Sequence, residues 1–336
     1  MPAREFELIS QYFDQPGLGF PGPGVELGIG DDCALLSPNS GDNLALSMDT
    51  LVVDVHFPDD LDPYFVACRA LAANLSDLAA MAATPLCFSL SLTLPAVCNN
   101  AAWLSRFAQG LGDYARRYQC PLVGGDTTSG PLSITIAVHG SVAKGSAWRR
   151  SGAQMGDLVY ASGALGDAAI ALKLLGRKSH LDPQLEFDHS IVDEEAREDI
   201  LKAYFQPQPR LDIAATCGQW VNSAIDISDG LLADLGHICH RSGVGAEIEL
   251  AALPYSEHVV ELVPHKVREA AALAGGDDYE LCLTVAAAKA AAFERAAAAA
   301  GFRVSCIGKI TEGREIRCLN RVGEVVQGVG SGYRHC

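Results

Sequence analysis

The sequence predicts a mixed α/β protein made of two domains. Its 336 residues exceed the usual size of a single domain. Short strand patterns alternate with amphipathic helix patterns, and this alternation begins afresh in the second half of the chain. The interruption lies between Lys144 and Gly156, where glycines, serines and the basic pair Arg149-Arg150 break the pattern. We therefore place the domain boundary there, with domains at 1–148 and 149–336.

In the first half, strand patterning covers Asn43–Ser47 and Leu132–Val142. Between them, Asp62-Pro63 is a favourable start for a helix. Apolar residues then recur at a spacing of three to four, as an amphipathic helix requires. They are Phe65, Cys68, Leu71, Leu75, Leu78 and Ala82. A second helix is predicted over Ala101–Tyr118.

The second half opens with a predicted strand, Asp157–Ala161, followed by the turn Ser162–Gly166 and an apolar helix to Leu175. This turn could bind an anion at the helix N-terminus, or it could simply pack tightly. The charge-rich residues 180–203 are predicted to form a mostly exposed connection with helical parts. The remaining predicted elements are a buried strand at Ala224–Ile227, a helix at Leu231–His240, a strand at Leu281–Val285, an alanine-rich helix to Ala300 and a strand at Phe302–Ile307.

Composition and charge exclude several classes of partner. The formal net charge is −16, with 41 acidic and 25 basic side chains. Such a surface repels phosphate backbones and anionic lipid, so we expect no nucleic-acid partner and no membrane partner. No apolar run approaches the length of a membrane span, and the N-terminus does not resemble a secretory signal. The 11 cysteines are scattered singly, which favours reduced thiols and a cytoplasmic location.

The most informative feature is the placement of aspartates beside glycine, serine or threonine. We interpret five such runs as acidic turns at strand ends, and we place Asp77 on the polar side of the helix that begins at Pro63. The five runs are Gly28–Asp32, Ser47–Thr50, Gly124–Thr128, Asp226–Gly230 and Gly275–Tyr279. Carboxylates on rigid strand ends are suitable ligands for Mg²⁺ that bridges a polyphosphate, and glycine leaves backbone N–H groups free for phosphate oxygens.

Each acidic run also has an ordinary structural interpretation, because glycine-aspartate pairs are common in turns and at helix caps. Asp229 could simply cap the helix after Gly230, and we interpret Asp113 and Asp157 as cap or turn residues. There is no Gly-x-x-x-x-Gly-Lys-Ser/Thr loop, which disfavours a P-loop enzyme. No pair of nucleophile and base stands out either, but phosphoryl transfer does not need one.

Six segments in order resemble the thiamine-monophosphate kinases, members of the aminoimidazole-ribonucleotide-synthetase-like superfamily. The segments are Glu26–Leu35, Asp49–Val52 with His56-Phe57, Ala70–Met81, Gly124–Thr128, Asp226–Leu231 and Gly275–Leu281. The resemblance implies a two-domain synthetase-like fold, in which the N-terminal sheet joins that of a second subunit in a barrel at the interface of a homodimer. It implies that 1–148 binds ATP and magnesium and forms the dimer, and that 149–336 is an α/β domain.

The resemblance further implies transfer of the γ-phosphate of ATP to thiamine monophosphate, without a phosphoenzyme and with several Mg²⁺ ions. The metal ligands that it implies are Asp32, Ser47, Met48, Asp49, Asp77, Asp126, Asp226 and Asp229. The residues implied to contact ATP are Gly125, Asp126, Arg150 and Ser228. The residues implied to contact thiamine monophosphate are His56, Asp277 and Tyr333.

The chain departs from the family pattern at three places. Asp277 replaces the usual glutamate, which shortens the carboxylate by one methylene. Met48 stands where a threonine is usual, so a hydroxyl ligand is lost. Near the C-terminus, Gly330 or Ser331 occupies the place of an aromatic residue, leaving Tyr333 as the nearest ring.

Three other functions are compatible with parts of the sequence. A selenophosphate synthetase should carry a reactive cysteine with a lysine in a glycine-rich N-terminal segment, whereas Cys33 lies in the acidic segment Glu26–Leu35, which has no lysine. A purine-pathway amidine synthetase is disfavoured by the runs Asn74–Asp77 and Asp226–Gly230. A nucleotide or cation sensor without catalysis is supported by the three departures alone.

Overall fold

The computed structural model describes residues 5–30, 33–177 and 181–326. The chain clusters into two compact units, one of residues 1–78 and 83–147 and the other of residues 79–82 and 148–336. None of the helices in these described ranges is both long enough and apolar enough to cross a membrane.

The first unit contains a four-stranded sheet in the order β3-β6-β4-β5 and a separate two-stranded sheet, β1-β2. Its strands are β1 (Val25–Leu27), β2 (Leu35–Leu36), β3 (Asp42–Val52), β4 (Thr84–Leu94), β5 (Leu122–Ser129) and β6 (Ser133–Ala143). Its helices are α1 (Glu5–Leu8), which continues as a π-helical turn (Ile9–Phe13), α2 (Pro63–Ala80), whose last residues cluster with the second unit, and α3 (Ala101–Arg117). Only the β4-β5 pair of the four-stranded sheet is parallel, and α3 connects these two strands.

One face of the four-stranded sheet is buried under α2. The side chains of Ile134, Ile136 and Val138 alternate along β6 and are fully buried. A Cβ added at Gly140 of the same strand would meet Leu78 of α2 at 2.9 Å, so this strand and the helix are in close contact. We call this side of the sheet the helix face and the other side the open face.

The predicted helices of this unit are confirmed, but two acidic runs are wrongly placed. Ser47–Thr50 lies inside β3 rather than after it, and Gly124–Thr128 lies inside β5 rather than in a turn. Polar residues are tolerated there because β3 and β5 are the two edge strands. Asp113 is also not a cap: it lies inside α3 and forms an ion pair with Arg116 at 2.6 Å.

The second unit is built on a six-stranded sheet in the order β12-β9-β11-β7-β10-β8, antiparallel except for the β12-β9 pair. Its strands are β7 (Leu158–Ser162), β8 (Val221–Ile227), β9 (Gly245–Glu249), β10 (Glu280–Val285), β11 (Val304–Thr311) and β12 (Ile316–Leu319). Its helices are α4 (Asp167–Leu174), α5 (Glu194–Phe205), α6 (Leu211–Cys217), α7 (Leu231–Ser242), α8 (Glu257–Leu262), α9 (His265–Ala274) and α10 (Ala290–Ala299).

Both faces of this sheet are covered. On β8, Ile225 packs in a cluster with Leu235 of α7, whereas its neighbour Ala224 packs in a different cluster with Phe293 of α10. Every residue of β10 is therefore buried, as in central strands that are covered on both sides. The five elements predicted from Ala224 to Ile307 are confirmed, each to within a few residues.

Candidate active site

The edge strand β3 and helix α2 bring three of the predicted metal ligands together. The Ser47 hydroxyl donates a hydrogen bond to Asp77 Oδ2 at 2.5 Å. Two residues further along β3, the Asp49 backbone N–H donates a hydrogen bond to Asn74 Oδ1 at 3.0 Å. Asn74 and Asp77 are three residues apart on α2, so they lie on the same side of the helix. Ser47, Asp49 and Asp77 thus form a group of oxygen donors on the helix face, which we call the β3-α2 cluster.

His56 is held at the end of the same strand by two hydrogen bonds, one to its ring and one to its carbonyl oxygen. Its Nδ1 accepts a hydrogen bond from the Val52 N–H at 3.0 Å, and its carbonyl oxygen accepts one from Arg69 at 3.4 Å. Because Nδ1 is an acceptor, the neutral ring carries its proton on Nε2. The imidazole can therefore donate a hydrogen bond to an anionic oxygen.

Gly125 and Asp126 lie on the other edge strand of the sheet, β5. Asp126 is exposed and lines a cavity of about 810 Å³ together with Gly124, Gly125, Cys33 and His139. The remaining lining is mostly apolar, with Phe13, Ile29, Leu36 and Val123 among its side chains. Burial lowers the pKa of His139 below its ordinary value, which favours the neutral ring. The cavity therefore combines an apolar wall with a short polar edge at Gly124–Thr127.

The strand register shows that Asp126 and the β3-α2 cluster are far apart within one chain. Asp126 lies opposite Ser91, Ser91 opposite Thr135, and Thr135 opposite Thr50. These residues share the open face, and the Thr50 and Thr135 hydroxyls are 2.8 Å apart. Asp49 precedes Thr50 by one residue and therefore faces the other side. Three strand spacings separate β3 from β5, which is roughly 14 Å. Asp49 and Asp126 of one chain therefore cannot bind the same ion.

Met48 is 66% exposed on the open face of β3, away from Ser47 and Asp49. Its side chain is not part of the β3-α2 cluster. The alternation of the strand explains this placement, because successive side chains point to opposite faces.

In the second unit, the run Asp226–Gly230 connects β8 to α7, as predicted. Asp226 is buried, with 5% of its surface exposed, and Ser228 and Asp229 are half-buried. The backbone N–H groups of Ser228 and Asp229 both donate to Asp234 Oδ2, at 3.0 and 3.1 Å. Burial and the nearby carboxylates of Asp226 and Asp229 raise the pKa of Asp234 to about 8.

The run Gly275–Tyr279 precedes β10, also as predicted, and is bonded to the first run through its backbone. The Asp277 N–H donates to the Ser228 carbonyl oxygen at 2.8 Å, and the Tyr279 N–H donates to that of Ile227 at 2.8 Å. Asp277 and Tyr279 both have left-handed backbone conformations, with φ of 62° and 50°. Such conformations are strained for residues other than glycine and occur often at functional sites. The residue implied to contact substrate is thus fixed beside the residue implied to contact nucleotide.

A buried acidic network lies below this run. Both Glu280 oxygens accept hydrogen bonds from Arg210, and the Ser162 hydroxyl donates to Glu280 at 2.5 Å. Asp278 Oδ1 accepts the Gly166 N–H at 2.9 Å, and burial raises the pKa of Asp278 well above its ordinary value. A Cβ added at Gly163 would collide with the Glu280 carboxylate. These contacts favour tight packing over anion binding for the turn Ser162–Gly166.

Several predicted residues are not brought into either group. Arg150 is exposed, and its carbonyl oxygen accepts a hydrogen bond from the Ser242 hydroxyl at 3.1 Å. Asp157 is a turn residue as predicted, since its carboxylate accepts the Gln154 N–H at 2.9 Å. Asp32 and Tyr333 lie outside the described residues.

Family comparisons agree with this arrangement of two units. Residues 30–142 match the family described as AIR synthase related protein, N-terminal domain, and residues 154–319 match its C-terminal domain counterpart. The chain is 44% identical to the thiamine-monophosphate kinase of Escherichia coli O157:H7 over 338 residues, which covers 100% of this chain and 99% of that protein. The chain belongs to the thiamine-monophosphate kinase family. The resemblance seen in the sequence is therefore confirmed.

Solved structures of the family share this fold. The thiamine-monophosphate kinase of Stenotrophomonas maltophilia K279a has a TM-score of 0.80 at 38% identity and covers 90% of this chain and 92% of its own. A structure described as AaThiL complexed with AMPPCP and TMP has a TM-score of 0.72 at 28% identity, covering 89% of this chain and 90% of its own. Escherichia coli HypE, a hydrogenase maturation protein, reaches a TM-score of 0.72 at 20% identity, which shows likeness of fold alone.

The donor atoms of the β3-α2 cluster fit the magnesium that the family implies, because a hydroxyl and two carboxylates supply only oxygen. Within the described ranges, however, no three His, Cys, Asp or Glu side chains are grouped so that they could hold a metal ion. The cluster can therefore supply only part of a magnesium coordination shell. Phosphate oxygens and water ordinarily complete such a shell around Mg²⁺.

Three side chains that contact the candidate site are not among the residues predicted for it. Asn74 and Asp278 lie within segments that match the family, but only their neighbours Asp77 and Asp277 were assigned a role. Asp234 lies one turn into α7. Asp234 could have been identified from its position, because an aspartate lies between Leu231 and Leu235 on the apolar side of the helix, where a hydrophobic residue is expected.

Proposed function

We propose that this chain phosphorylates thiamine monophosphate to thiamine diphosphate by direct, in-line transfer of the γ-phosphate of ATP, assisted by several Mg²⁺ ions. The observation that carries the proposal is full-length identity of 44% to a thiamine-monophosphate kinase. A structural relative that is described as bound to AMPPCP and TMP supports the same pair of substrates. This reaction completes the synthesis of thiamine diphosphate, and we propose that it takes place in the cytoplasm.

We propose residue roles for each of the two units in turn. In the first unit, Ser47, Asp49 and Asp77 would hold magnesium on the helix face, and Gly125 and Asp126 would meet ATP and a further ion at the edge of β5. His56 would donate its Nε2 proton to an oxygen of the thiamine phosphate. Bound magnesium supplies the positive charge that offsets repulsion between acidic side chains and phosphates.

In the second unit, Asp226 and Asp229 would bind metal, Ser228 would contact ATP, and Asp277 would contact the acceptor. The hydrogen bond from the Asp277 N–H to the Ser228 carbonyl holds donor-site and acceptor-site residues together. Positioning of this kind is most of what phosphoryl transfer requires of a protein. Arg150 and Tyr333 are proposed from family resemblance alone.

We further propose a homodimer. Leu44, Leu46 and Met48 expose large apolar side chains on the open face of an edge strand, at 44%, 64% and 66%. A row of this kind is typical of a surface that is covered by a partner. The separation of Asp126 from the β3-α2 cluster points the same way, because a second copy can supply the half of the phosphate site that one chain cannot. The proposed arrangement joins the two N-terminal sheets in a barrel.

Direct transfer is tested with ATP labelled at its γ-phosphate. With thiamine monophosphate present, the label is expected in thiamine diphosphate. Without the acceptor, no label is expected on the protein in a rapid quench. Label on the protein that is chased into product would contradict transfer without a phosphoenzyme.

The shared site is tested by mixing two inactive variants, Asp126→Asn and Asp77→Asn. If two copies complete one site, exchange of subunits restores one intact site per mixed dimer and part of the activity. Activity that stays at the level of the separate variants would contradict a site shared between copies. Leu46→Asp, which charges the exposed row, is expected to yield monomers in light scattering.

A further inference from the structure

The run between β8 and α7 is anchored by a side chain that comes after it in sequence. Gly230 precedes the helix in a left-handed conformation, with φ of 106°, and has no side chain to cap the helix. The N–H groups of the two residues before Gly230 are instead bonded to a side chain of the helix. Asp234 Oδ2 accepts the N–H groups of both Ser228 and Asp229, at 3.0 and 3.1 Å.

The carboxyl group of Asp234 is energetically unfavourable at this position unless its hydrogen bonds compensate for burial. It is 3% exposed, and the helix residues beside it, Leu231 and Leu235, are fully buried in the core of the second unit. A carboxyl group in such surroundings is unfavourable without hydrogen bonds. The nearby carboxylates of Asp226 and Asp229 add like-charge repulsion. An apolar residue would satisfy the core but would leave two backbone N–H groups without this acceptor.

The other side of the same run is fixed by the backbone. The Ser228 carbonyl oxygen accepts the Asp277 N–H at 2.8 Å, and a Cβ at Gly276 would meet that oxygen at 2.7 Å. The peptide groups of Ser228 are thus held on the N–H side by Asp234 and on the carbonyl side by Asp277. With both sides fixed, the Ser228 hydroxyl and the Asp229 carboxylate project from one backbone conformation.

We infer that Asp234 is a positioning residue for nucleotide binding, which fixes the run Asp226–Gly230 through two backbone hydrogen bonds so that Ser228 and Asp229 meet the metal-bound phosphates of ATP. The inference rests on the proposed function, because it concerns the roles assigned there to Ser228 and Asp229. Asp234 itself need not touch ATP. Its effect is to remove the conformational freedom that ATP binding would otherwise have to restrict.

The test compares Asp234→Leu and Asp234→Asn with a matched control, Asp157→Leu. Asp157 is also 3% exposed in the second unit, and its Oδ2 also accepts two hydrogen bonds, from the Gln154 N–H and the Asn222 side chain. Asp234→Leu is expected to raise KM for ATP and the Kd of Mg·ATP by about tenfold, which corresponds to ~1.4 kcal/mol. Asp234→Asn keeps an acceptor oxygen and is expected to stay within about threefold of the unmodified protein.

The control separates positioning from general destabilisation. Asp157→Leu is expected to lower the melting temperature much as Asp234→Leu does, while the Kd of Mg·ATP stays within about twofold. Equal Kd values for the two leucine variants would overturn the inference. If Asp234→Leu does not fold, Asp234→Glu replaces it: one extra methylene displaces the acceptor, and an unchanged Kd would again overturn the inference. Failure of the unmodified protein to use thiamine monophosphate would reject the proposed function alone, because the ATP Kd values are measured without the acceptor.

Discussion

Gly125 lies in the middle of β5, where its backbone approaches β4 too closely for any side chain. A Cβ built on Gly125 would lie 1.8 Å from the carbonyl oxygen of Leu90, its partner in the parallel pair, and 2.8 Å from the Leu90 carbonyl carbon. The colliding atoms belong to the backbone of a buried strand, so they cannot rotate away as a flexible side chain could. Gly125→Ala therefore has to push the two strands apart.

The loss of stability expected for Gly125→Ala can be compared with that expected for the same substitution at Gly124. Overpacking a core usually costs about 1–3 kcal/mol, and a backbone collision belongs at the upper end, about 3 kcal/mol. At Gly124 an added Cβ would meet nothing within 4 Å. Gly124→Ala is therefore expected to be neutral or to stabilise by about 0.4–1 kcal/mol through the unfolded chain.

The measurement is thermal unfolding of both variants, followed by circular dichroism. With about 2–4 °C per kcal/mol for a domain of 150–250 residues, Gly125→Ala should melt roughly 6–12 °C below the unmodified protein. Gly124→Ala should melt at or slightly above it. If both variants melt together, the close approach of β5 to β4 is wrong, and with it the register that places Asp126 on the open face.

Three further predictions follow from single side chains. Asp126→Asn is expected to reduce phosphate transfer to thiamine monophosphate by at least about a thousandfold, with an unchanged melting temperature. Near-normal turnover would show that Asp126 is not a magnesium ligand. Arg210→Met leaves the buried Glu280 carboxylate without its ion pair, so the free energy of unfolding in urea should fall by about 3–5 kcal/mol. A loss below about 1 kcal/mol would contradict a buried ion pair between these two side chains. Asp278→Asn tests pH dependence: burial raises the pKa of Asp278 above 3.8, so its stabilising effect is complete below the unfolded pKa and is lost as pH rises towards the folded one. The difference in unfolding free energy between pH 5 and pH 8 should therefore be smaller in Asp278→Asn, and an unchanged difference would contradict burial of this carboxyl group.

The fold was predictable wherever a local pattern agreed with the tertiary environment. Helix α2 has a Pro63 start and apolar residues at helical spacing, and it forms where both predict it. Strand β4 was missed although Leu90, Leu92 and Leu94 alternate along it. Strand β3 was predicted to end at Ser47 but continues to Val52, because an edge strand accommodates aspartate and threonine at exposed positions.

Residues for the candidate site could be proposed from the sequence, but their arrangement in the fold could not. A short β3 would place Asp49 in a loop, free to approach Asp126. The longer strand fixes Asp49 on the helix face and Asp126 on the open face, and only the register across four strands shows this. The role of Asp234 depends on contacts with a turn five to six residues earlier, which no local pattern encodes.

We propose that this chain uses ATP and Mg²⁺ to phosphorylate a phosphate group rather than an alcohol. The most direct test is an assay of purified protein with ATP and Mg²⁺, with thiamine monophosphate as acceptor and free thiamine as the control. We expect thiamine diphosphate from the monophosphate, no product from thiamine, and no product once magnesium is chelated. Bound ATP that is not turned over with thiamine monophosphate would contradict this activity and favour a nucleotide sensor or another acceptor.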